Sequence, residues 1–131
     1  MPRLQNQKES SKIMWTVTKN FSFEAAHSLP HLPEGHKCRN LHGHSYGVTV
    51  VCSGDLDPAK SWVVDYAEIT EAMRPILARL DHQNVNEVIL IQSTAENLAF
   101  WIFEELKEVL PQLSEIHVQE TRTTNVIYQP R

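Results

Sequence analysis

The sequence is poor in cysteine, in glycine and in long apolar runs, and each shortage excludes a class of protein. Its two cysteines, Cys38 and Cys52, are too few for a disulfide-rich scaffold. Four glycines in 131 residues exclude a collagen-like chain. No segment approaches the roughly 18 consecutive apolar residues of a membrane span, and residues 1–13 lack the apolar core of a signal peptide. We therefore expect a cytoplasmic protein with no membrane partner.

The charge pattern and the length narrow the possibilities further. The net charge of −4 is spread over intermixed acids and bases, so there is no basic stripe that would bind nucleic acid. No glycine-rich dinucleotide fingerprint is present, so no nicotinamide is expected. A length of 131 residues, 41% of them hydrophobic, suits one globular domain. We predict a flexible polar tail over residues 1–13 and a single domain over residues 14–131.

Two stretches of alternating apolar residues predict a long β-hairpin. Odd positions from Trp15 to Ala25 are apolar apart from Lys19, and His27 continues their phase. Prolines and a glycine make residues 28–41 a loop, and a second strand runs from about Leu41 to Cys52. The inner face of the hairpin should carry three histidines near one end: His27, His42 and His44.

Capping signals and apolar stripes predict two helices after the hairpin. The first opens at Asp65 with Glu68, and the second opens at Ser93 with Glu96 and runs to Pro111. Two short strands follow. The predicted fold is α+β, in the order ββααββ, with a four-stranded antiparallel sheet and two helices on one face. Because such a sheet has two open edges, we expect subunits to close it into a barrel by oligomerisation.

Five histidines within eighteen residues are the strongest chemical signal, and three of them share one strand face: His27, His42 and His44. Three neutral imidazoles with an open fourth position describe a catalytic zinc site, where the metal acts as a Lewis acid. The alternative is that the His-Gly-His triplet is only a polar strand end. This alternative is less favoured, because His27 lies in phase with the apolar face of the first strand. Cys38 is either a fourth zinc ligand or a separate nucleophile or base, and residue type alone does not decide between them.

Two further groups carry titratable side chains. Asp81 and His82 are either a general acid/base pair or a helix cap, because adjacent side chains on a helix diverge. Glu120 occupies the inward phase set by Ile116 and Val118, and a buried carboxylate needs a partner. That partner is an internal arginine or a ligand with two parallel N–H groups. Ser93 and Thr94 are also candidates for binding such a ligand, although helix capping explains at least one of them.

Several segments together resemble the pterin synthase family of the tunnelling fold, over roughly residues 15–130. Within it the match is closest to the carboxy-forming, queuosine-pathway branch, because three residues separate Cys38 from the His-Gly-His triplet. Pyruvoyl-forming members usually have two more residues there. The segments that carry the resemblance are FSFEAAHSLPHLPEGHKCRNLHGH, WVVDYAEI, RLDHQNVN, STAENLA and VQET.

The resemblance implies a role for each matching residue. His27, His42 and His44 correspond to zinc ligands, and Cys38 corresponds to a catalytic proton acceptor. His82, backed by Asp81, corresponds to a proton relay, and Glu120 to the carboxylate that grips the pterin edge. Thr94 and Glu96 lie in a segment near the pterin pocket.

The resemblance also implies a reaction and an assembly. The substrate would be 7,8-dihydroneopterin triphosphate, and the products 6-carboxy-5,6,7,8-tetrahydropterin, triphosphate and acetaldehyde. The assembly would be a hexamer built as a dimer of trimers. The alternatives are a pyruvoyl-forming synthase of the biopterin pathway and a non-catalytic zinc-binding module in which Cys38 closes the metal site.

Overall fold

The computed structural model describes residues 14–131, so the predicted N-terminal tail lies outside the described residues. These residues form an α+β fold in which one sheet of five strands packs against helices. None of the helices in this range is long and apolar enough to cross a membrane. In chain order the elements are β1 (Trp15–His27), a 3-10 turn (Lys37–Arg39), β2 (His42–Gly54), α1 (Tyr66–Leu80), β3 (Gln83–Asn84), α2 (Val85–Ile89), α3 (Ala95–Leu106), β4 (Leu113–Gln119) and β5 (Val126–Tyr128).

The predicted hairpin of β1 and β2 is confirmed, and its register sets the position of the histidines. The two strands pair antiparallel from Trp15 opposite Gly54 to His27 opposite His42. Alternate side chains are buried, as the period of two predicts, so that Phe23 and Ala25 point into the core. Because His27 continues that phase, it points inward and is also buried.

Two amphipathic helices cover the inner face of the sheet. The Asp65 side chain accepts a hydrogen bond from Ala67 N at 2.9 Å and so caps α1, as predicted. The apolar stripe predicted for α3 is confirmed as far as Leu106. The helix ends there and not at Pro111, so Val109, which the predicted stripe includes, is exposed. The buried helix residues that meet the sheet are Ile69, Met73, Ile76, Leu80, Leu98, Ala99, Ile102, Phe103 and Leu106.

The prediction of a four-stranded antiparallel sheet in the order ββααββ is wrong in detail. The sheet has five strands in the order β3-β1-β2-β4-β5, and β3 runs parallel to β1. After α1 ends, His82 N donates to Glu24 O, which brings the next two residues beside β1. Asn84 then caps the five-residue helix α2, which is too short to give a periodic signal. The sheet is open, and its closure by other subunits stays a prediction.

The start of α3 also differs from the prediction. Thr94, and not Ser93, is the N-cap, and its Oγ1 accepts from Asn97 N at 3.2 Å. Ser93 is fully buried and points towards His27 instead. The two adjacent hydroxyl residues are equivalent in a capping pattern, and only the tertiary contact distinguishes them.

Candidate metal centre and active site

The three predicted histidines meet at one point. Their ring centroids lie 4.6 Å apart for His27 and His42, 5.0 Å for His27 and His44, and 4.9 Å for His42 and His44. One nitrogen from each ring lies within 4.8 Å of the other two. The hairpin register produces this cluster, because His27 faces His42 directly and His44 lies two residues further along the same strand face.

Hydrogen bonds to backbone carbonyls orient two of the rings. His27 Nδ1 lies 2.8 Å from Ser93 O, and His42 Nδ1 lies 2.7 Å from Asn40 O. Because a carbonyl can only accept, each Nδ1 must carry the proton and donate it. Each Nε2 then keeps its lone pair, which is the usual arrangement of a metal-binding histidine.

The unsatisfied nitrogens of the cluster fit a divalent metal ion. His27 Nε2 and His44 Nε2 are both buried and have no hydrogen-bond partner within residues 14–131. Such atoms cost folding free energy unless something binds them. Burial, and secondarily the charges of His42 and His44, lower the pKa of His27, although its hydrogen bond to Ser93 opposes the shift. The neutral, metal-binding form of the ring is therefore favoured.

Behind His27 lies a partly buried polar network that the sequence pattern does not predict. Asn86 Oδ1 accepts from Ser28 N at 2.9 Å and from Ser93 Oγ at 3.1 Å, and Asn86 Nδ2 donates to Ser28 O at 2.9 Å. Ser93 Oγ in turn lies 3.2 Å from His27 Nδ1. The network ties the end of β1 to the segment before α3 and so fixes the carbonyl that orients His27.

Glu120 lies at the cluster, as predicted, but its partner is not an arginine. Its Oε2 atom is 3.6 Å from His27 Nε2, and its side chain is 26% exposed. Burial raises the pKa of Glu120, His44 and His42 partly offset the shift, and Glu96 adds to it. Glu96 is exposed on the first turn of α3, near enough for its charge to act on Glu120.

Beneath the cluster lies Tyr46, which is completely buried. Its ring lies edge-on to His44, with centroids 5.3 Å apart. Burial, together with the negative charge of Glu120, raises the pKa of Tyr46. No described residue forms a hydrogen bond with its hydroxyl. Nothing in the sequence pattern distinguishes this tyrosine from the other core residues of β2.

Asp81 and His82 do form a pair, contrary to the divergence expected on a helix. The helix has already ended, and His82 takes a left-handed backbone conformation with φ 61°. His82 Nδ1 consequently lies 3.1 Å from Asp81 Oδ2. Asp81 Oδ1 accepts from Glu24 N at 2.9 Å, and this bond, followed by that to His82, lowers the pKa of Asp81. His82 and His44 line the same open cavity of about 570 Å³.

Cys38 lies on the 3-10 turn between the strands and is half-buried. Its backbone is held at both ends, since Cys38 N donates to His36 Nδ1 at 3.1 Å and Leu29 N donates to Cys38 O at 2.8 Å. Among the described residues, its sulfur does not belong to the group of atoms that the three histidines bring together. Thr94 is accounted for by its capping bond.

An α+β fold with a cluster of three imidazoles, a carboxylate beside it and an Asp-His pair at a shared cavity describes a candidate metalloenzyme. Comparison with known proteins identifies the family. The family model for 6-pyruvoyl tetrahydropterin synthase matches residues 16–131, and the chain belongs to that family.

Relatives from three organisms bear out this assignment. A 6-carboxy-5,6,7,8-tetrahydropterin synthase of Synechocystis sp. is 42% identical over 122 residues, which cover 88% of this chain and 93% of that protein. A Homo sapiens 6-pyruvoyl tetrahydrobiopterin synthase is 34% identical over 130 residues, covering 86% and 90% respectively. The structure of Caenorhabditis elegans 6-pyruvoyl tetrahydropterin synthase superposes with a TM-score of 0.82 at 30% identity, covering 91% and 97%. The chain is therefore an enzyme of the pterin synthase type.

Proposed function

We propose that the protein is a zinc-dependent lyase of queuosine biosynthesis. It would convert 7,8-dihydroneopterin triphosphate and one water into 6-carboxy-5,6,7,8-tetrahydropterin, triphosphate and acetaldehyde. In this reaction two electrons from the side chain reduce the dihydropterin ring, so no external reductant is needed. The observation that carries the proposal is the cluster of His27, His42 and His44, with two buried Nε2 atoms that have no hydrogen-bond partner among the described residues.

The proposed metal ligands are these three imidazoles. A zinc ion on three neutral histidines supplies Lewis-acid chemistry and lowers the pKa of a hydroxyl next to it. The chain's own contribution is to hold the three rings before the metal arrives. Ser93 O and Asn40 O do so for two of them. Three imidazoles would also accept other divalent ions, so metal availability helps to decide which ion occupies the site.

Cys38 and His82 are proposed as the groups that move protons. Cys38 would take a carbon-bound proton of the substrate side chain, and a thiolate is the reactive form for this step. The placement of its sulfur outside the histidine group supports this role over that of a fourth ligand. His82 would exchange the hydroxyl proton, with Asp81 holding the ring through Nδ1 so that Nε2 faces outward.

Glu120 is proposed to bind the pterin. A carboxylate is the geometric complement of the two parallel N–H groups on an aminopyrimidine edge. Its position beside His27 would hold the ring next to the reacting side chain. Glu96 would line the same region, because its charge acts on Glu120. Thr94 has a weaker claim as a binding residue, since its hydroxyl already caps α3.

The runner-up function is that of a 6-pyruvoyl-tetrahydropterin synthase, which would release triphosphate but keep the whole side chain. The name of the Homo sapiens relative supports it. The carboxy product is favoured by the higher identity of the Synechocystis relative and by the short spacing from Cys38 to His42. A non-catalytic zinc module is the third possibility, and it requires Cys38 to close the metal site.

A product assay tests these alternatives. Zinc-loaded protein is incubated with 7,8-dihydroneopterin triphosphate, and triphosphate and pterins are measured by mass spectrometry. Equal amounts of triphosphate, acetaldehyde and the carboxy product are expected. The pyruvoyl product without acetaldehyde would select the runner-up, and an absence of triphosphate would exclude both enzymes. If the protein is an enzyme, the Cys38→Ala variant should keep its zinc and its fold and lose turnover. If it is a non-catalytic module, the same variant should lose zinc and unfold.

Oligomerisation and location complete the proposal. We expect a hexamer in which the exposed edges at β3 and β5 pair with neighbouring subunits and close a barrel. Sedimentation velocity would measure its size. The cytoplasmic location stays a prediction from the sequence.

A further inference from the structure

The hydroxyl of Tyr46 is a polar group without an assigned purpose. Tyr46 is completely buried, and in the part of the chain that the structure describes its hydroxyl has no hydrogen-bond partner. The ring stacks on Phe23 with centroids 4.9 Å apart, so an apolar ring would pack equally well there. A buried hydroxyl that is left unsatisfied costs stability, and phenylalanine would avoid that cost. The position of a tyrosine here therefore points to a hydrogen-bond partner for its hydroxyl.

Glu120 is the acceptor best placed to be that partner. Strands β2 and β4 pair Val48 with Val118 and Gly47 with Gln119. The next step of the same register puts Tyr46 opposite Glu120, one residue beyond the end of β4. Directly opposed residues of an antiparallel pair have Cβ atoms about 5 Å apart and project to the same face. Glu120 does lie on that face, since its Oε2 atom is 3.6 Å from His27 Nε2.

Metal binding would deprive Glu120 of its present neighbour. His27 donates through Nδ1 to Ser93 O, so Nε2 is the atom left for a metal. The ring offers no N–H to the carboxylate with or without a metal, since Nδ1 carries its proton, but an ion on Nε2 would take the space that Glu120 Oε2 now approaches to 3.6 Å. Glu120 then requires another donor, and the Tyr46 hydroxyl is an unused one on the same face.

We propose that Tyr46 is a positioning residue, which donates a hydrogen bond from its hydroxyl to the Glu120 carboxylate when the histidine cluster holds its metal. The bond would direct the carboxylate towards a bound pterin. The positioning role rests on the proposed function, because it assumes that Glu120 binds a pterin. The hydrogen bond itself can be tested without substrate.

The first test is a double-mutant cycle on stability. Tyr46→Phe, Glu120→Ala and the double variant are unfolded in urea, once with saturating zinc and once with a chelator. The proposal expects the two substitutions to be coupled by about 10-fold in the unfolding equilibrium constant with zinc, as for a hydrogen bond to a charged group, and uncoupled without it. Tyr128→Phe is the matched control, because this half-buried tyrosine packs against Phe103 and lies away from the cluster. Absence of coupling with zinc, or equal coupling in both conditions, would overturn the proposal.

The second test measures pterin binding. The affinity of zinc-loaded protein for 7,8-dihydroneopterin is followed by fluorescence. Tyr46→Phe should weaken binding by about 10-fold, and it should have no further effect when Glu120 is already alanine. Tyr46→Phe with wild-type affinity would overturn the positioning role. If the wild-type protein fails to bind the pterin, the proposed function fails, while the stability cycle still decides whether the hydrogen bond exists.

Discussion

Replacement of Asn86 by alanine is the sharpest test of how the fold holds the metal site. The side chain makes three hydrogen bonds, to Ser28 N, Ser28 O and Ser93 Oγ, and all three are partly buried. At about 1 kcal/mol for each bond, Asn86→Ala should cost about 2 to 3 kcal/mol. The lower bound allows for Ser93 Oγ, which can still donate to Ser28 O at 3.3 Å. In a domain of this size the loss corresponds to roughly 10 °C in melting temperature.

The same substitution should weaken metal binding. Ser93 supplies the carbonyl that orients His27, and without Asn86 the segment that carries this carbonyl is less restrained. Loss of such an outer contact typically lowers metal affinity by about 10-fold or more. Urea unfolding in the presence of a chelator measures the loss in free energy of unfolding. Competition with a zinc-sensitive dye measures the affinity term.

Asn20→Ala provides the matched control. Asn20 accepts one hydrogen bond from Thr49 Oγ1, at 2.8 Å, on the exposed face of the sheet. The Asn20→Ala substitution should lower the free energy of unfolding by less than about 0.5 kcal/mol and leave zinc affinity unchanged. If Asn86→Ala behaves like Asn20→Ala in both assays, the network does not hold His27 and the reasoning is refuted.

Three further predictions concern residues outside that network. Cys38 should react with a thiol reagent in the native protein, whereas Cys52 should react only after unfolding. Cys52 is fully buried, and burial raises its pKa to about 11. Equal reaction rates of the two cysteines in the native protein would contradict this prediction. Asp81→Asn should be most destabilising at neutral pH. The pKa of Asp81 is lowered in the folded state by Glu24 N–H and His82, so its contribution is present above the unfolded pKa and is lost as the pH falls through the folded one. Urea unfolding between pH 2 and 7 measures this difference, and a pH-independent difference would argue against it. Thr94→Ala should cost about 1 kcal/mol in thermal unfolding through loss of the α3 cap, and an unchanged melting temperature would show that Thr94 does not cap.

The three-histidine cluster could be predicted from sequence because a strand has a fixed period. Once Phe23 and Ala25 are placed in the core, the phase of β1 requires His27 to point the same way. The same rule puts His42 and His44 on one face. The hairpin register then brings the three rings together, with no information needed from the rest of the chain.

Contacts between distant parts of the chain could not be predicted in this way. Asn86 and Ser28 are separated by 58 positions, and neither lies in a periodic pattern that would reveal the bond. Ser93 satisfies a capping pattern as well as Thr94 does, and burial against His27 decides between them. For Asp81 and His82 the sequence leaves both a pair and a helix cap open, because the pattern does not reveal the left-handed residue that turns the chain after α1.

The central claim is that three imidazoles hold the metal and leave a coordination position open. Zinc-edge X-ray absorption on protein loaded with one equivalent of zinc tests it directly. The account predicts three imidazole nitrogens, from His27, His42 and His44, at about 2.0 to 2.1 Å and a fourth light-atom ligand. A sulfur at about 2.3 Å would show that Cys38 closes the site, and it would contradict the account.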